Sequence, residues 1–258
     1  MHGDGRTPKV SEESSVSLGP LPARFEGMPG TMQGGYVAAL AAGNRNGPIR
    51  VRIRRPLLAG DELIRTATGD RWEIHRGDEL VMVGVPDSIL VNDPGPPDHA
   101  LAVAATEGVL PFAPPFPDCV GCGDRPDGLG VRLRPLGDGR HMVSVWTPGA
   151  ETDERGLVPR SDVWTMIDCL TSWSVFVDPP TRGEGGAVTG NIAMQFNEDL
   201  QPGVRYLCQS WRERDDERSI ICGGTIHHAD TGRLVALADQ EMIRTPGWGM
   251  EVPVTPLC

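Results

Sequence analysis

The same order of elements is predicted twice along this chain. MQGGYVAALAAG indicates a short apolar helix, because two glycines precede a run of helix-forming residues and Gly43 can end it. SDVWTMIDCLTSWSVF indicates a second, longer helix that Ser161 or Asp162 can cap. Segments of β-type composition follow each helix: RVRIRRPLLAGDEL, ELIRTATGD and DELVMVGVP in the first half, and VTGNIAMQF, GVRYLCQSWRER, SIICGGTIHHA and RLVALADQEMIR in the second. This order predicts an α+β protein built from two related antiparallel halves.

The two halves can also be aligned, and the alignment divides the chain. VRIRRPLLAGDEL can be laid on AMQFNEDLQPGVR, and DELVMVGVP on GRLVALADQ, with a longer spacer between the strands of the second half. We therefore predict a shortened N-terminal repeat at 21–91 and a C-terminal repeat at 118–258, which begins with the strands VRLRPL and HMVSVWTP. The polar residues 1–20 indicate a disordered tail, and the proline-dense residues 92–117 indicate a linker.

Composition excludes several classes of function. The net charge of −11 argues against nonspecific binding of nucleic acid, which needs a basic surface to neutralise phosphates. No segment approaches the roughly 20 apolar residues of a membrane span. The N-terminus lacks the basic start and apolar run of a signal peptide, so we expect a cytoplasmic protein.

The cysteines give little sign of a metal or of disulfides. Only Cys119 and Cys122 form a close pair, and a disulfide framework is not expected in a chain without a secretory signal. A structural zinc site needs four ligands, and no second CxxC or HxxxH follows this pair. We therefore interpret CVGC as a turn with small residues and predict neither a metal nor an organic cofactor.

Three polar residues fall where a core or cleft is expected. Asp168 lies in the middle of the second helix, and Thr189 opens a strand on which it shares a face with Asn191, Ala193 and Gln195. Gln240 shares its face with four apolar residues, and a buried amide without partners costs a few kcal/mol. Each also has an ordinary explanation: a solvated carboxylate, a strand-forming threonine, and a strand end that reaches solvent.

Together these residues resemble a known arrangement. MIDCLTSW, TGNIAMQF and GRLVALADQEMIR resemble the C-terminal repeat of bacterial acyl-CoA thioesterase II, over residues 160–246 and more loosely over the whole chain. The resemblance implies a double hotdog, in which each of two long antiparallel sheets wraps a central helix. It also implies that Asp168, Thr189 and Gln240 hold and activate the water that attacks a thioester. A carboxylate can accept the proton of such a water while a hydroxyl and an amide orient it.

The resemblance also suggests groups that bind substrate. MQGGYVAAL resembles the Gly-Gly helix start of the same superfamily, where a backbone N–H can polarise the carbonyl, and Gly35 is the candidate here. CVGCGDRPDGLGVRL resembles a Cys-x-x-Cys-Gly segment of some single-hotdog relatives. Arg50, Arg52 and Arg54 alternate on one face of RVRIRRP and could meet the phosphates of coenzyme A, or form a solvated face. Trp164 could shape an acyl tunnel, or simply pack the helix.

The first half departs from the pattern of the second. Ala41 stands near the position where an acid is expected, and Pro86 falls opposite Gln240. We therefore predict one active site per chain, in the C-terminal repeat, with the N-terminal repeat non-catalytic.

The predicted function is that of an acyl-CoA thioesterase, with acyl-CoA as the partner and with the oligomeric state open, a homo-oligomer included. The main alternative is a hotdog protein that binds acyl-CoA or an acyl chain without turnover. A nucleophilic Cys169 would need a histidine to activate it, and its motif contains none. A hotdog hydratase would need a His/Asp pair, but neither predicted helix contains a histidine.

Overall fold

One antiparallel sheet of eleven strands runs through the described part of the protein. The structure is a computed structural model and describes residues 14–45, 47–108, 116–136, 138, 141–176 and 186–245. The strands are β1 Ser14–Pro20, β2 Ile49–Ile53, β3 Glu62–Thr68, β4 Arg71–Arg76, β5 Glu79–Pro86, β6 Arg134–Pro135, β7 His141–Trp146, β8 Gly186–Phe196, β9 Tyr206–Asp215, β10 Ser219–His228 and β11 Leu234–Thr245. Three α-helices accompany them: α1 Gly34–Ala42, α2 His99–Glu107 and α3 Arg160–Phe176.

The sheet has the same strand order on either side of its central junction. Its order is β1-β3-β4-β5-β2-β8-β11-β10-β9-β7-β6. β2 and β8 pair antiparallel between Ile49↔Met194 and Arg52↔Asn191, and this contact joins the two halves. Moving outward from β2, the strands are β5, β4, β3 and β1, and moving outward from β8 they are β11, β10, β9 and β7. Each half thus places the strand that follows its helix at the centre of the sheet.

The helices α1 and α3 pack against each other and against the sheet. In α3 every residue from 162 to 171 is buried, as expected of a helix that is covered on all sides. The two helices meet at Gly35, where a Cβ atom would lie 2.1 Å from the carbonyl oxygen of Trp164. Only glycine permits this approach, so Gly35 fixes how closely the helices pack. None of the helices in the described ranges is both long and apolar enough to span a bilayer.

Two predicted segments differ from the structure. Residues 14–20, which we predicted as part of a disordered tail, form β1 and pair with β3, and residues 1–13 lie outside the described ranges. The predicted linker contains α2, which packs against β7. Asp98 begins this helix by accepting a hydrogen bond from the backbone N–H of Leu101 at 2.9 Å. This helix has only nine residues and lies between proline-rich segments, so the sequence pattern does not predict it.

Candidate functional site

The carboxylate of Asp168 is the centre of a buried polar cluster. Asp168 is 6% exposed. Its Oδ2 accepts hydrogen bonds from Gln33 Nε2 at 2.5 Å and from the backbone N–H of Gly35 at 3.0 Å. Its Oδ1 accepts from the hydroxyl of Thr189 at 2.9 Å and from the amide of Gln240. The sequence-predicted residues Asp168, Thr189 and Gln240 are therefore in direct contact.

The side chain of Gln240 has partners at both ends, which explains an amide on an apolar strand face. Gln240 is 0% exposed and lies on β11. Its Nε2 also donates to Thr189 Oγ1 at 2.8 Å, and its Oε1 accepts from the hydroxyl of Thr171. Because every polar atom of the amide is engaged, the desolvation cost of burying it is offset.

A bulge in β8 turns Thr189 toward this cluster. The pairing of β8 with β11 shifts between Glu241↔Asn191 and Met242↔Thr189, and Gly190 is skipped. We predicted from strict alternation that Thr189 faces the same way as Asn191, and the structure shows otherwise. Asn191 bonds Arg50 on the opposite face of the sheet. The extra residue at Gly190 reverses the alternation, as bulges do.

Gln33 completes the site, and sequence reasoning missed it. It precedes α1, and its Oε1 accepts a hydrogen bond from the N–H of Tyr36 at 2.7 Å, which caps the helix. Its Nε2 donates to Thr165 O at 3.2 Å as well as to Asp168. The only sequence signal was its position directly before the Gly-Gly helix start, and glutamine is not a preferred N-cap residue.

The N-terminus of α1 reaches the carboxylate because two glycines begin the helix. At Gly34 a Cβ atom would lie 3.0 Å from Asp168 Oδ2 and 3.2 Å from Thr189 Oγ1. The positive end of the helix dipole is thus directed at a negative group, which stabilises the charge. The burial of Asp168 acts in the other direction and raises its pKa to about 6, opposed by the hydrogen bonds from Thr189, Gly35 and Gln240.

A cavity of about 610 Å³ lies against this cluster. A volume of this size accommodates a small organic ligand. Asp168, Thr189 and Gly34 line it, whereas Gln240 lies behind them. Both halves of the chain contribute apolar walls, which include Met28, Met32, Val37, Leu57, Phe116, Trp173 and Met242. The cavity therefore brings an apolar space into contact with a buried carboxylate.

Gly35 and Trp164, which we proposed as substrate-binding residues, do not line the cavity. The N–H of Gly35 is bound to Asp168, so it is not available to a substrate carbonyl. Trp164 is 2% exposed and packs in the core, while Trp173 lines the cavity. Packing of α3 thus accounts for Trp164.

Of the arginines proposed to contact phosphate, Arg54 lines the cavity, whereas Arg50 and Arg52 do not. The side chain of Arg50 is 11% exposed and forms ion pairs with Asp239 at 2.6 Å and Asp87 at 2.7 Å. Arg50 therefore holds β2, β5 and β11 together on the outer face of the sheet. Arg52 is exposed on β2 but does not line the cavity, whereas Arg54 does.

Three cysteines stand next to the carboxylate on the cavity wall. The Sγ atoms of Cys119, Cys122 and Cys169 all lie within 4.8 Å of one another, and the three residues line the cavity. Within the described part of the chain, these three cysteines are the group of side chains that could hold a metal ion.

Solved structures similar to the chain are thioesterase-like in fold. No protein-family model matches the sequence, and no curated protein matches it. An acyl-CoA thioesterase II from Mycobacterium marinum superposes with a TM-score of 0.60 at 16% identity, covering 90% of this chain and 93% of that one. The tesB protein of Mycobacterium avium subsp. paratuberculosis gives a TM-score of 0.59 at 16% identity, with coverage of 90% and 93%. A hot dog fold protein from Alicyclobacillus acidocaldarius gives 0.55 at 14% identity, with coverage of 91% and 94%. The chain therefore shares the hotdog fold of the TesB-like acyl-CoA thioesterase II proteins over nine-tenths of its length.

Proposed function

We propose that this protein hydrolyses acyl thioesters, with Asp168 as the general base and acyl-CoA as the substrate. The observation that carries the proposal is the contact of Asp168 with Thr189 and Gln240 at the wall of an apolar cavity. A buried carboxylate with a raised pKa is a stronger base than an exposed one. The shared fold of the thioesterase II proteins supports the same reaction class.

The hydrogen bonds of Asp168 indicate where a water would enter. A carboxylate accepts about four hydrogen bonds, and Asp168 already accepts four from the protein. An attacking water must therefore replace one of these donors. Thr189 is the donor best suited to this, because it lines the cavity and its hydroxyl oxygen keeps the hydrogen bond from Gln240 Nε2. The water would then donate to Asp168 and accept from the hydroxyl of Thr189.

The reaction then needs one proton transfer in each direction. The water oxygen attacks the thioester carbonyl carbon while its proton passes to Asp168, and a tetrahedral intermediate forms. The C–S bond breaks, the sulfur leaves as a thiol with the proton from Asp168, and a carboxylic acid is released. No organic cofactor enters this balance.

Gly34 takes the carbonyl-polarising role expected of Gly35. Gly34 is the first residue of α1 and lines the cavity. N–H groups in the first turn of a helix have no partner within the helix and point along its axis. The N–H of Gly34 is thus placed to donate to the developing oxyanion, while that of Gly35 holds the base.

The cavity walls suggest how the two ends of an acyl-CoA are accommodated. Apolar side chains such as Met28, Val37 and Met242 suit an acyl chain. Arg54 and Arg55 border the same cavity, and both are exposed. Arg55 pairs with Glu79 at 2.9 Å, so Arg54 is the better candidate for a phosphate of coenzyme A.

We further propose that the two halves are hotdog repeats with a single site between them. The matching strand order on either side of the β2–β8 junction supports two repeats. Pro86 pairs with Ile49 in the first half where Gln240 pairs with Ile192 in the second, so the first half lacks the amide. That half instead contributes Gln33 and the N-terminus of α1 to the one site.

Thiol release from a panel of acyl-CoAs of different chain length tests the function. We expect turnover by the wild type and a loss of about 10²- to 10⁴-fold in Asp168→Asn, the range typical of a lost general base. Asp162→Asn is the matched control, because Asp162 is a buried carboxylate of the same helix outside the cluster.

The outcomes separate hydrolysis from binding. An Asp168→Asn variant that folds and retains the rate of Asp162→Asn would refute Asp168 as the base. Saturable binding of acyl-CoAs without turnover would instead favour the binding-protein alternative. That alternative also fits a carboxylate whose hydrogen-bonding positions are all occupied by protein donors.

A further inference from the structure

The fold adds a third cysteine to the CxxC pair. Cys119 and Cys122 lie in the loop before β6, and Cys169 lies on α3, directly after Asp168. The Sγ atoms of Cys119 and Cys169 are 3.7 Å apart, and all three Sγ atoms fall within 4.8 Å of one another. The CxxC pair alone offers two of the four ligands that a structural zinc site needs, and the fold brings in a third from 47 residues further along the chain.

The distance between two of the sulfur atoms matches the spacing around a tetrahedral zinc ion. Zinc binds thiolate sulfur at about 2.3 Å, so two sulfurs of a tetrahedral site are separated by about 3.8 Å. The observed 3.7 Å between Cys119 and Cys169 agrees with that value. It far exceeds the S–S bond length of about 2.05 Å, and all three are free cysteines.

The loop that carries the first two cysteines is held in place by its backbone. The N–H of Val120 donates to Glu26 O at 3.0 Å, and the N–H of Val131 donates to Gly121 O at 3.2 Å. A Cβ atom at Gly121 would lie 2.4 Å from the Sγ of Cys169. Only glycine at this position lets the loop bring its sulfurs against α3.

N–H groups donate hydrogen bonds to two of the three sulfur atoms. The indole N–H of Trp173 donates to Cys122 Sγ at 3.2 Å, and Gln33 Nε2 donates to Cys169 Sγ at 3.6 Å. Donors of this kind stabilise thiolate ligands and orient them toward a metal.

We propose that Cys119, Cys122 and Cys169 bind one zinc ion, whose fourth position faces the cavity and holds a water. A ligand set made only of sulfur favours zinc over hard cations such as Mg²⁺ and Ca²⁺. All three cysteines line the cavity, so an ion that they hold has solvent on its remaining side. Three protein ligands and one open position are the pattern of zinc sites that keep an exchangeable ligand.

Metal content of the full-length protein tests the site. We expect one zinc per chain in protein purified under reducing conditions, and replacement by Co²⁺ should give sulfur-to-cobalt charge-transfer bands. Cys119→Ser and Cys169→Ser should each lose the zinc and the bands. Cys222→Ser is the matched control, because Cys222 is also buried but belongs to a separate apolar cluster. That variant should retain both.

Several results would overturn the proposal. These are a reduced wild type that takes up neither zinc nor Co²⁺, zinc that persists in a folded Cys169→Ser, or a disulfide among the three cysteines in freshly purified protein. If the serine variants do not fold, X-ray absorption of the wild type decides the question. Three sulfurs at about 2.3 Å support the site, and fewer exclude it. These measurements need no substrate, so they stand apart from the proposed hydrolysis.

Discussion

Gln33→Met should slow catalysis without weakening substrate binding. Methionine nearly preserves the volume of glutamine but removes the amide, which caps α1 and donates to Asp168 Oδ2 at 2.5 Å. Without it, Gly35 is the remaining donor to Oδ2. The carboxylate can then rotate away from the position in which Oδ1 would accept a hydrogen bond from the proposed water. A misplacement of about 1 Å costs roughly a hundredfold in rate, so we expect kcat to fall ten- to a hundredfold.

The stability cost of the same substitution can be separated from its kinetic effect. A hydrogen bond to a charged group contributes about 1.5–3 kcal/mol, and a lost N-cap costs about 1 kcal/mol. Gln33→Met should therefore destabilise the protein by about 2.5–4 kcal/mol. Gln209→Met is the control, since Gln209 is equally buried at 4% exposure and bonds Gly95 O, away from Asp168.

The assay is steady-state thiol release at a temperature where circular dichroism shows all three proteins folded. Gln33→Met should show a reduced kcat with KM near that of the wild type, and Gln209→Met should keep both values. The reasoning is wrong if the two variants have the same kcat. In that case Gln33 would only stabilise the fold.

Three further substitutions test separate parts of the structure. Gly34→Ala places a methyl group 3.0 Å from a carboxylate oxygen, which must move by a few tenths of an ångström, so thiol release should slow by about tenfold. Gly149→Ala has no neighbour within 4 Å and should not affect it. Arg54→Ala should raise KM for acyl-CoA but not for the corresponding pantetheine thioester, and Arg52→Ala, which changes an exposed arginine away from the cavity, should leave both unchanged. Burial raises the folded-state pKa of Asp162 to about 6, so its ionisation opposes folding increasingly from about pH 4 and in full above about pH 6. Asp162→Asn should therefore raise the free energy of unfolding at pH 8, by at most about 3 kcal/mol and less where the helix N-terminus stabilises the charge, with no gain below about pH 4. Equal stabilisation at both pH values would contradict this reasoning.

Most strands of both halves follow from sequence patterns because their composition and turns are regular, but the predicted strand VRLRPL forms only the two residues of β6. The short elements β1 and α2 do not follow from such patterns. The strand β1 lies within a Ser-rich segment that resembles a tail, and its contribution to the fold comes from pairing with β3, which no local pattern reveals. The helix α2 has nine residues between proline-rich flanks, too few for a periodic signal.

The site shows a similar division. Asp168 and Gln240 were recognisable as polar residues in apolar surroundings, and the structure places them in contact. The facing of Thr189 was predicted wrongly, because a bulge depends on pairing between strands and not on the composition of one strand. The contacts of Gln33 and Cys169 could not be predicted from the sequence for another reason. Each acquires its partners from a segment at least 47 residues away, and only the tertiary fold brings them together.

The origin of these partners explains why the site needs the whole chain. Of the four donors to the carboxylate of Asp168, Thr189 and Gln240 come from the second half, and Gln33 and Gly35 from the first. A buried carboxylate that loses half of its donors bears an uncompensated desolvation cost and takes up a proton instead. The junction of β2 with β8 and the glycine contact between α1 and α3 hold the first pair in place. The first half thus helps to stabilise and orient the second half's carboxylate, although it carries no equivalent carboxylate and amide of its own.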